Sequence, residues 1–265
     1  MTFTTAHLPE YLRGALASDQ ARPRVTYYDD ATGERVELSA LTLANWVTKT
    51  VNLLADEVGV ESGSRVSLHL PLHWLAAVWA VAVDAAGAEL VVDDLAGLVD
   101  VAVVGPDGRK GGGENGPWHA ENVFAVSLAP MAMPFGGPGG PSLPTGARDF
   151  SAEVRTMPDQ IVEPPEHVGP LHDQGAVRAA ELGLASKERV GVLDSAALVR
   201  GSGVVPLAGF VDWLVAPLSV DGSVVWVRNP EPAECVKRWE AEQVSAVLGP
   251  LPEGVEVPPG IRHRG

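Results

Sequence analysis

One supersecondary pattern occurs twice in this chain of 265 residues. A strand-like segment, a turn, an apolar helix-like run, a glycine and a second strand-like segment follow one another in residues 65–92 and again in residues 189–226. This is the order of a βαβ unit, in which a crossover helix joins two parallel strands. The strand segments are rich in Val and Leu, which is typical of parallel strands buried on both faces. The repeat therefore predicts an α/β fold with two related βαβ-type sheets and surrounding helices.

The sequence pattern changes along the chain and predicts four parts within one compact body. A hairpin at residues 25–38 and a helix that Ser39 caps and Gly59 ends come before the first βαβ copy. Gly- and Pro-rich stretches then interrupt the regular pattern. The predicted parts are a first α/β lobe (1–105), an irregular connecting segment with one strand (106–170), a second α/β lobe (171–252) and a loose tail (253–265).

Charge and composition exclude several classes of partner. The formal net charge of −15 argues against nucleic acid and against an anionic membrane surface, because both attract Lys and Arg. No signal peptide is visible and no apolar run is long enough to span a bilayer, so we expect a cytoplasmic protein. Only four residues are Lys while Ala, Gly, Val, Pro and Arg are frequent, which suggests a GC-rich bacterial genome.

Cys235 is the single cysteine, so neither an internal disulfide nor a zinc site built on several thiolates can form. An inert buried thiol is favoured over a nucleophile, because no activating base or positive field is apparent nearby. His69 and His73 stand four residues apart, a spacing seen in helical metal sites, but Pro71 between them indicates a strand-to-helix turn. The glycine-rich stretch around Lys110 matches no phosphate-loop pattern and reads as a surface loop. We therefore predict no catalytic residue, no cofactor-binding residue and no metal ligand.

One place in the sequence favours a ligand crevice. Asp194 and Ser195 follow the first strand of the second copy, and the carboxyl ends of parallel strands are where open α/β sheets bind ligands. Together with Arg200 and Ser202 they could form a small anion-binding site. Helix capping by Asp194 or Ser195 is the alternative interpretation. A hydrolase with Ser195 as nucleophile is not favoured, because the Gly-x-Ser-x-Gly elbow is absent.

Short sequence motifs in and around both copies resemble those in the N-terminal part of the adenylate-forming superfamily. This superfamily includes acyl-CoA synthetases, luciferases and the adenylation domains of peptide synthetases. The motifs occur in the family's order and at nearly its spacing, and the resemblance covers most of residues 25–104 and 171–252. It implies the fold of the first half of the large N-terminal domain, in a truncated and degenerate bacterial relative. The motifs that carry the resemblance are Leu70-Pro71, Ala86-Gly87-Ala88, Gly183-Leu184, Ala216-Pro217-Leu218 and Gly249-Pro250.

The resemblance also implies which chemistry to look for. Members of the superfamily activate a carboxylate with ATP, and a Ser/Thr/Gly-rich loop ending in lysine holds the triphosphate. That loop is expected just before Leu171, where residues 160–170 contain no Ser, Thr or Lys and include the carboxylates of Glu163 and Glu166. Proline in this segment also removes N–H groups that would bind phosphate. The family's adenine-site signature, ribose-binding aspartate and C-terminal lid with a catalytic lysine follow the stretch matched by residues 244–250, and none is found here.

Three functions stay open. A non-catalytic binding or regulatory partner, in effect a pseudoenzyme, is favoured over a nucleotide- or acyl-binding protein that acts with a full-length enzyme. The third is an enzyme of unrelated chemistry, with its site at the crevice near Asp194–Ser202. We expect no C-terminal lid and no acyl adenylation by this chain alone. In the full-length family the region after Pro250 would cover part of this body. Its loss is expected to expose apolar surface, which a homodimer or another protein partner would cover.

Overall fold

The computed structural model describes residues 7–92, 98–107, 120–137, 140–162, 165, 169, 171–194 and 204–265, with only the backbone of His172. The strands are β1 (Pro23–Asp29), β2 (Glu34–Ser39), β3 (Arg65–His69), β4 (Glu89–Val91), β5 (Val99–Val104), β6 (Ala120–Ala125), β7 (Arg148–Asp149), β8 (Arg189–Leu193), β9 (Ser223–Arg228), β10 (Ala246–Leu248) and β11 (Arg262–Arg264). The helices are α1 (Glu10–Asp19), α2 (Ala40–Val58), α3 (Trp74–Ala85), α4 (Phe150–Glu153), α5 (Leu171–Glu181), α6 (Leu207–Phe210), α7 (Ala216–Ser219) and α8 (Pro232–Ala241). Short 3₁₀ turns occur at Pro130–Ala132 and Val154–Thr156, and a π-helical turn at Val211–Val215 joins α6 to α7.

Two sheets form the body of the molecule, as the repeated pattern predicts. The six-stranded sheet has the order β11-β10-β8-β9-β1-β2 and the five-stranded sheet the order β4-β3-β5-β6-β7. All neighbouring strands are parallel except β1 and β2. The first βαβ copy is β3-α3-β4, and the second runs from β8 through α6 and α7 to β9. The predicted fold class is therefore confirmed.

Helix α3 belongs to the core. All twelve of its residues are buried, and an apolar surface all round is what a fully enclosed helix requires. The only charged residue among them is Asp84 in the last turn. Helix α2 has the predicted ends: Ser39 Oγ accepts a hydrogen bond from the Thr42 N–H (3.1 Å), and Gly59 ends the helix at a φ of +66°.

The hairpin lies in a different sheet from the rest of the predicted first lobe. Strand β1 pairs in parallel with β9, so that Tyr27 lies opposite Trp226, and the hairpin thereby joins the six-stranded sheet. The division of the strands between the two sheets therefore does not coincide with the predicted division of the sequence into two lobes. As domain boundaries, residues 105, 170 and 252 stay predictions.

Two further expectations differ from the structure. The predicted connecting segment contains the two-residue strand β7 and the short helix α4 in addition to β6. The predicted loose tail ends in β11, which pairs in parallel with β10. The tail is held there because the Arg262 guanidinium forms an ion pair with Glu188, whose side chain is almost fully buried. Among the described residues, none of the helices combines the length and the apolar character needed to cross a membrane.

Candidate functional site

Charged residues meet at one edge of the six-stranded sheet. Strands β8, β9 and β1 are parallel neighbours, so their carboxyl ends lie side by side. Asp29 and Arg228 end β1 and β9 and lie opposite each other, with 3.9 Å between Asp29 Oδ2 and an Arg228 Nη. Asp194 follows β8, and its N–H donates to the Val227 carbonyl (2.7 Å). This is the position where open α/β sheets bind ligands.

Of the four residues of the predicted crevice, the structure describes only Asp194. Ser195, Arg200 and Ser202 lie outside the described residues, so their grouping stays a prediction. Burial raises the pKa of the Asp194 carboxyl, Arg228 opposes this effect and Asp29 adds to it. Asp194 therefore holds a proton more readily than an exposed aspartate, which fits a partly enclosed polar crevice.

Three buried rings lie near these strand ends. The ring centroids of Tyr27 and His73 are 4.7 Å apart, and those of His73 and Trp74 are 5.7 Å apart. None of the three residues is more than 2% exposed. Within the described part of the chain, the Tyr27 hydroxyl, His73 Nε2 and Trp74 Nε1 have no hydrogen-bond partner. Because buried polar atoms are normally paired, three unpaired donors so close together are unusual.

His73 is the N-terminal cap of α3. Its Nδ1 accepts a hydrogen bond from the Leu75 N–H (3.1 Å), so the proton of the neutral ring is on Nε2. Burial, helped by the nearby Arg228, lowers the pKa of His73 to about 3. The imidazole is therefore a neutral N–H donor at neutral pH. The metal interpretation of His69 and His73 gains no support, since no group of three or more possible ligands occurs in the described ranges.

Glu34, at the start of β2, adds an acceptor to this cluster. Its Oε1 is buried and has no hydrogen-bond partner among the described residues. Burial raises the pKa of the Glu34 carboxyl, and the nearby Asp29 adds to this effect while Arg228 opposes it. Glu34 and the three rings are all within electrostatic reach of Arg228 or of each other. Tyr27, Glu34, His73, Trp74 and Arg228 are called the polar cluster below.

A second arrangement lies where the resemblance implies a phosphate loop. The Asp84 carboxylate is fully buried and accepts hydrogen bonds from the Tyr11 hydroxyl (2.9 Å) and from the N–H of Leu171 (3.0 Å), the first residue of α5. A helix begins with free N–H groups and positive potential, which attract anions. Here a carboxylate of the protein itself occupies that position.

The chain before α5 lies directly on α3. The Gly169 N–H donates to the Asp84 carbonyl (2.6 Å), and a Cβ on Gly169 would lie 2.9 Å from both Ala88 O and Asp84 Oδ1. Only glycine fits such a close approach without a shift of the backbone. The N–H of Gly169 is therefore used inside the protein. Glu163, Pro164, residues 166–168 and Pro170 lie outside the described residues.

The start of the same segment is tied to α2. Asn52 Nδ2 donates to the carbonyls of Pro158 (3.0 Å) and Gln160 (2.8 Å), while Asn52 Oδ1 accepts from the Val162 N–H (3.1 Å). The Asn52 side chain is buried and uses both ends of its amide. Backbone groups near both ends of residues 160–170 are thus hydrogen-bonded to the helices of the core.

Solved structures define the class of fold. The chain superposes on an acyl-CoA synthetase of Brucella canis with a TM-score of 0.64 at 17% identity, over 87% of this chain and 45% of that one. Two structures of the N-terminal domain of FACL13 from Mycobacterium tuberculosis give TM-scores of 0.63 and 0.65 at 10% and 11% identity. They cover 90% and 96% of this chain and 61% and 68% of theirs. The predicted resemblance to the adenylate-forming superfamily is therefore confirmed at the level of the fold, and the chain spans less than half the length of the Brucella synthetase.

A sequence relative identifies the family. No family model matches the chain. A TIGR03089 family protein of Mycobacterium tuberculosis (strain ATCC 25618 / H37Rv) is 40% identical over 261 residues, which are 94% of this chain and 100% of that protein. The chain belongs to the TIGR03089 family.

Proposed function

We propose that this protein is a non-catalytic binding or regulatory protein built on the acyl-CoA synthetase fold, and that it does not form acyl adenylates. The observation that carries the proposal is the Asp84 carboxylate at the amino end of α5. The resemblance places a triphosphate loop directly before this helix. An internal carboxylate fixed at the helix terminus takes the place of an external phosphate.

The electrostatic cost of bringing a phosphate to this place supports the proposal. Two like charges about 4 Å apart repel by about 4 kcal/mol at an effective dielectric constant of about 20. A triphosphate carries several negative charges, and no described lysine lies in the segment to offset them. The N–H groups of Gly169 and Leu171 are also already engaged by Asp84.

The polar cluster favours a second candidate function, a protein that binds a small acyl or nucleotide ligand at the strand ends. The unpaired donors of Tyr27, His73 and Trp74 would stabilise a ligand that brings oxygen or nitrogen acceptors. Local charge limits this ligand, because Asp29 and Asp194 outnumber Arg228 at the same strand ends. A neutral acceptor group therefore fits the cluster better than a phosphate.

The test combines an assay of activity with a measurement of binding. The purified protein is assayed for ATP–pyrophosphate exchange with a panel of carboxylic acids, and an active acyl-CoA synthetase serves as the positive control. We expect no exchange above background, and exchange at an enzymatic rate would contradict the proposal. Thermal unfolding is then followed with ATP, AMP, CoA and acyl-CoA, since a ligand of the native state at about 100 times its Kd adds about 2.7 kcal/mol of stability.

Two variants show whether a ligand binds at the polar cluster. If a ligand stabilises the protein, Tyr27→Phe should weaken its binding, because this change removes one unpaired donor of the polar cluster. Tyr28→Phe is the matched control, since the Tyr28 hydroxyl is bound to Glu242 in a separate network. Binding lost in Tyr27→Phe alone supports the second candidate. Absence of binding by all four compounds removes it and leaves the regulatory partner.

A further inference from the structure

A pocket of about 290 Å³ lies on one face of α2, apart from the strand ends. Thr42, Asn45, Trp46 and Lys49 line it from α2, and Arg155 lines it from the 3₁₀ turn Val154–Thr156. The four α2 positions follow the spacing i, i+3, i+4 and i+7, which places them on one side of the helix. The pocket is therefore built by a rigid helix and one turn that packs against it.

The charge of this pocket is opposite to that of the chain. Its charged lining residues are Lys49 and Arg155, and none of the described acidic residues lines it. The chain as a whole has 34 Asp and Glu against 19 Lys and Arg. The positive charge of the pocket lining therefore differs from what the average composition of the chain would give.

Hydrogen bonds to backbone carbonyls fix both cations. One Arg155 Nη donates to the carbonyls of Met131 (3.1 Å) and Ala132 (2.9 Å), and Arg155 has no ion-pair partner among the described residues. Carbonyls are neutral, so the guanidinium keeps its charge, and its other N–H groups point away from these two acceptors in the fixed fork geometry. Lys49 Nζ donates to the Met157 carbonyl (2.5 Å) and is 2.8 Å from the Asp159 carboxylate, whose side chain is largely exposed. Water screens such an exposed partner, and the net charge of the pocket stays positive.

Trp46 supplies an apolar wall beside these cations. Its ring is half-buried and meets Trp74 at an edge, with the centroids 5.2 Å apart and the planes at 73°. An aromatic surface held by packing suits a flat apolar group. The partly buried amide of Asn45 provides donors and an acceptor to the pocket.

We propose that this pocket binds a small organic anion, in which a carboxylate or phosphate group is attached to a ring-sized apolar body. The anionic group lies between Lys49 and Arg155, and the apolar body lies against Trp46. The volume of about 290 Å³ is just below the range of about 300–1,000 Å³ found for ligand pockets, which limits the body to about one ring. The inference does not rest on the proposed function, because none of the lining residues belongs to the polar cluster or to the segment before α5.

An NMR titration with compounds that share a ring and differ in charge tests the proposal. Benzoate, benzamide and benzylamine are added to ¹⁵N-labelled protein, and the indole N–H of Trp46, assigned with Trp46→Phe, is followed. We expect a saturable shift with benzoate and binding of benzamide and benzylamine that is weaker by about tenfold or more. Phenyl phosphate in place of benzoate determines which anionic group binds better. Equal binding of benzamide, or no saturable shift with either anion at millimolar concentration, would overturn the proposal.

An isosteric variant separates charge from folding. Asn45→Asp changes only an amide to a carboxylate and places it one helical turn before Lys49, a spacing that favours an ion pair and preserves the helix. It should weaken benzoate binding by about tenfold or more. Gln174→Glu on α5 makes the same charge change outside the pocket and should leave the Kd within about twofold. Arg155→Gln should also lose binding, but Asn45→Asp decides the test because Arg155 also holds the 3₁₀ turn at Pro130–Ala132. Unchanged binding in Asn45→Asp would contradict the proposal.

Discussion

Removal of the Asp84 carboxylate tests how the chain before α5 is held. In Asp84→Ala, the buried Tyr11 hydroxyl and the Leu171 N–H each lose an acceptor, at 2.9 Å and 3.0 Å respectively. A buried donor left without a partner costs about 1–3 kcal/mol, and the loss of an N-terminal cap costs about 1 kcal/mol. We expect Asp84→Ala to lower the free energy of unfolding by about 4 kcal/mol. This is a large fraction of the total stability of a domain, which is about 5–15 kcal/mol.

The measurement is urea unfolding followed by circular dichroism and tryptophan fluorescence, with comparison of the m-values. Asp84→Asn keeps the shape and one acceptor oxygen, so it should cost about 1–2 kcal/mol. Tyr11→Phe removes the same hydrogen bond from the other side and should cost a similar amount. The double variant should then show a coupling of about 1 kcal/mol between the two sites. A loss below about 1 kcal/mol in Asp84→Ala would refute the view that this carboxylate caps α5.

The same pair predicts a dependence on alkaline pH. Burial, with the adjacent Asp84, raises the pKa of Tyr11 well above its usual value of 10. The phenol therefore stays protonated in the folded protein when it ionises in the unfolded chain. Its contribution is complete below about pH 10 and is lost as the pH rises above that value, at about 1.4 kcal/mol per pH unit. Tyr11→Phe should flatten the fall in stability above pH 10, and an unchanged slope would contradict this reasoning.

Three further predictions follow from packing. Gly169→Ala should destabilise the protein by about 2 kcal/mol or more, because the new Cβ would lie 2.9 Å from Asp84 and Ala88. Gly14→Ala, inside α1, should stabilise it by about 0.5–1 kcal/mol, because its Cβ would meet none of the described atoms within 4 Å. Urea unfolding measures both, and equal effects would contradict the structure. Burial raises the pKa of the Cys235 thiol to about 11. Its reaction with Ellman's reagent at neutral pH should therefore be about a hundredfold slower in the native than in the unfolded protein, and a fast reaction of the native protein would contradict this. Arg262→Ala should lower the free energy of unfolding by about 1–3 kcal/mol and increase amide exchange in β10, because it leaves the buried Glu188 carboxylate without its cation. Unchanged amide exchange in β10 would show that this ion pair does not hold β11.

Local features of the fold were predictable from the sequence, and long-range ones were not. The ends of α2 depend on Ser39 and Gly59, which act within one turn of their own positions, so the sequence pattern predicts them. The pairing of β1 with β9 joins segments from opposite halves of the chain, and several strand orders are compatible with the same pattern. Strand β11 carries no sequence signal of its own, because Arg262-His263-Arg264 is polar and exposed, and only its pairing with β10 makes it a strand.

The candidate site shows the same division. Asp194 was predicted because the carboxyl end of a parallel strand is a general place for ligands. The unpaired donors of Tyr27, His73 and Trp74 were not, because their proximity depends on how α3 packs against the six-stranded sheet. His73 alone carried a local signal, since a polar residue just before an apolar helix is a candidate cap.

Two features can be read from the amino-acid order alone: the two βαβ units, and the lack of phosphate-loop residues in the segment before α5. Both are properties of residue type and order, which periodicity and composition express directly. Two other features become apparent only in the folded protein: the hairpin completes the six-stranded sheet, and the carboxylate of Asp84 lies at the amino end of α5. The physical reason is that these contacts join residues far apart in the chain, and their energy depends on burial and on hydrogen-bond geometry that exist only after the two sheets have packed around α3.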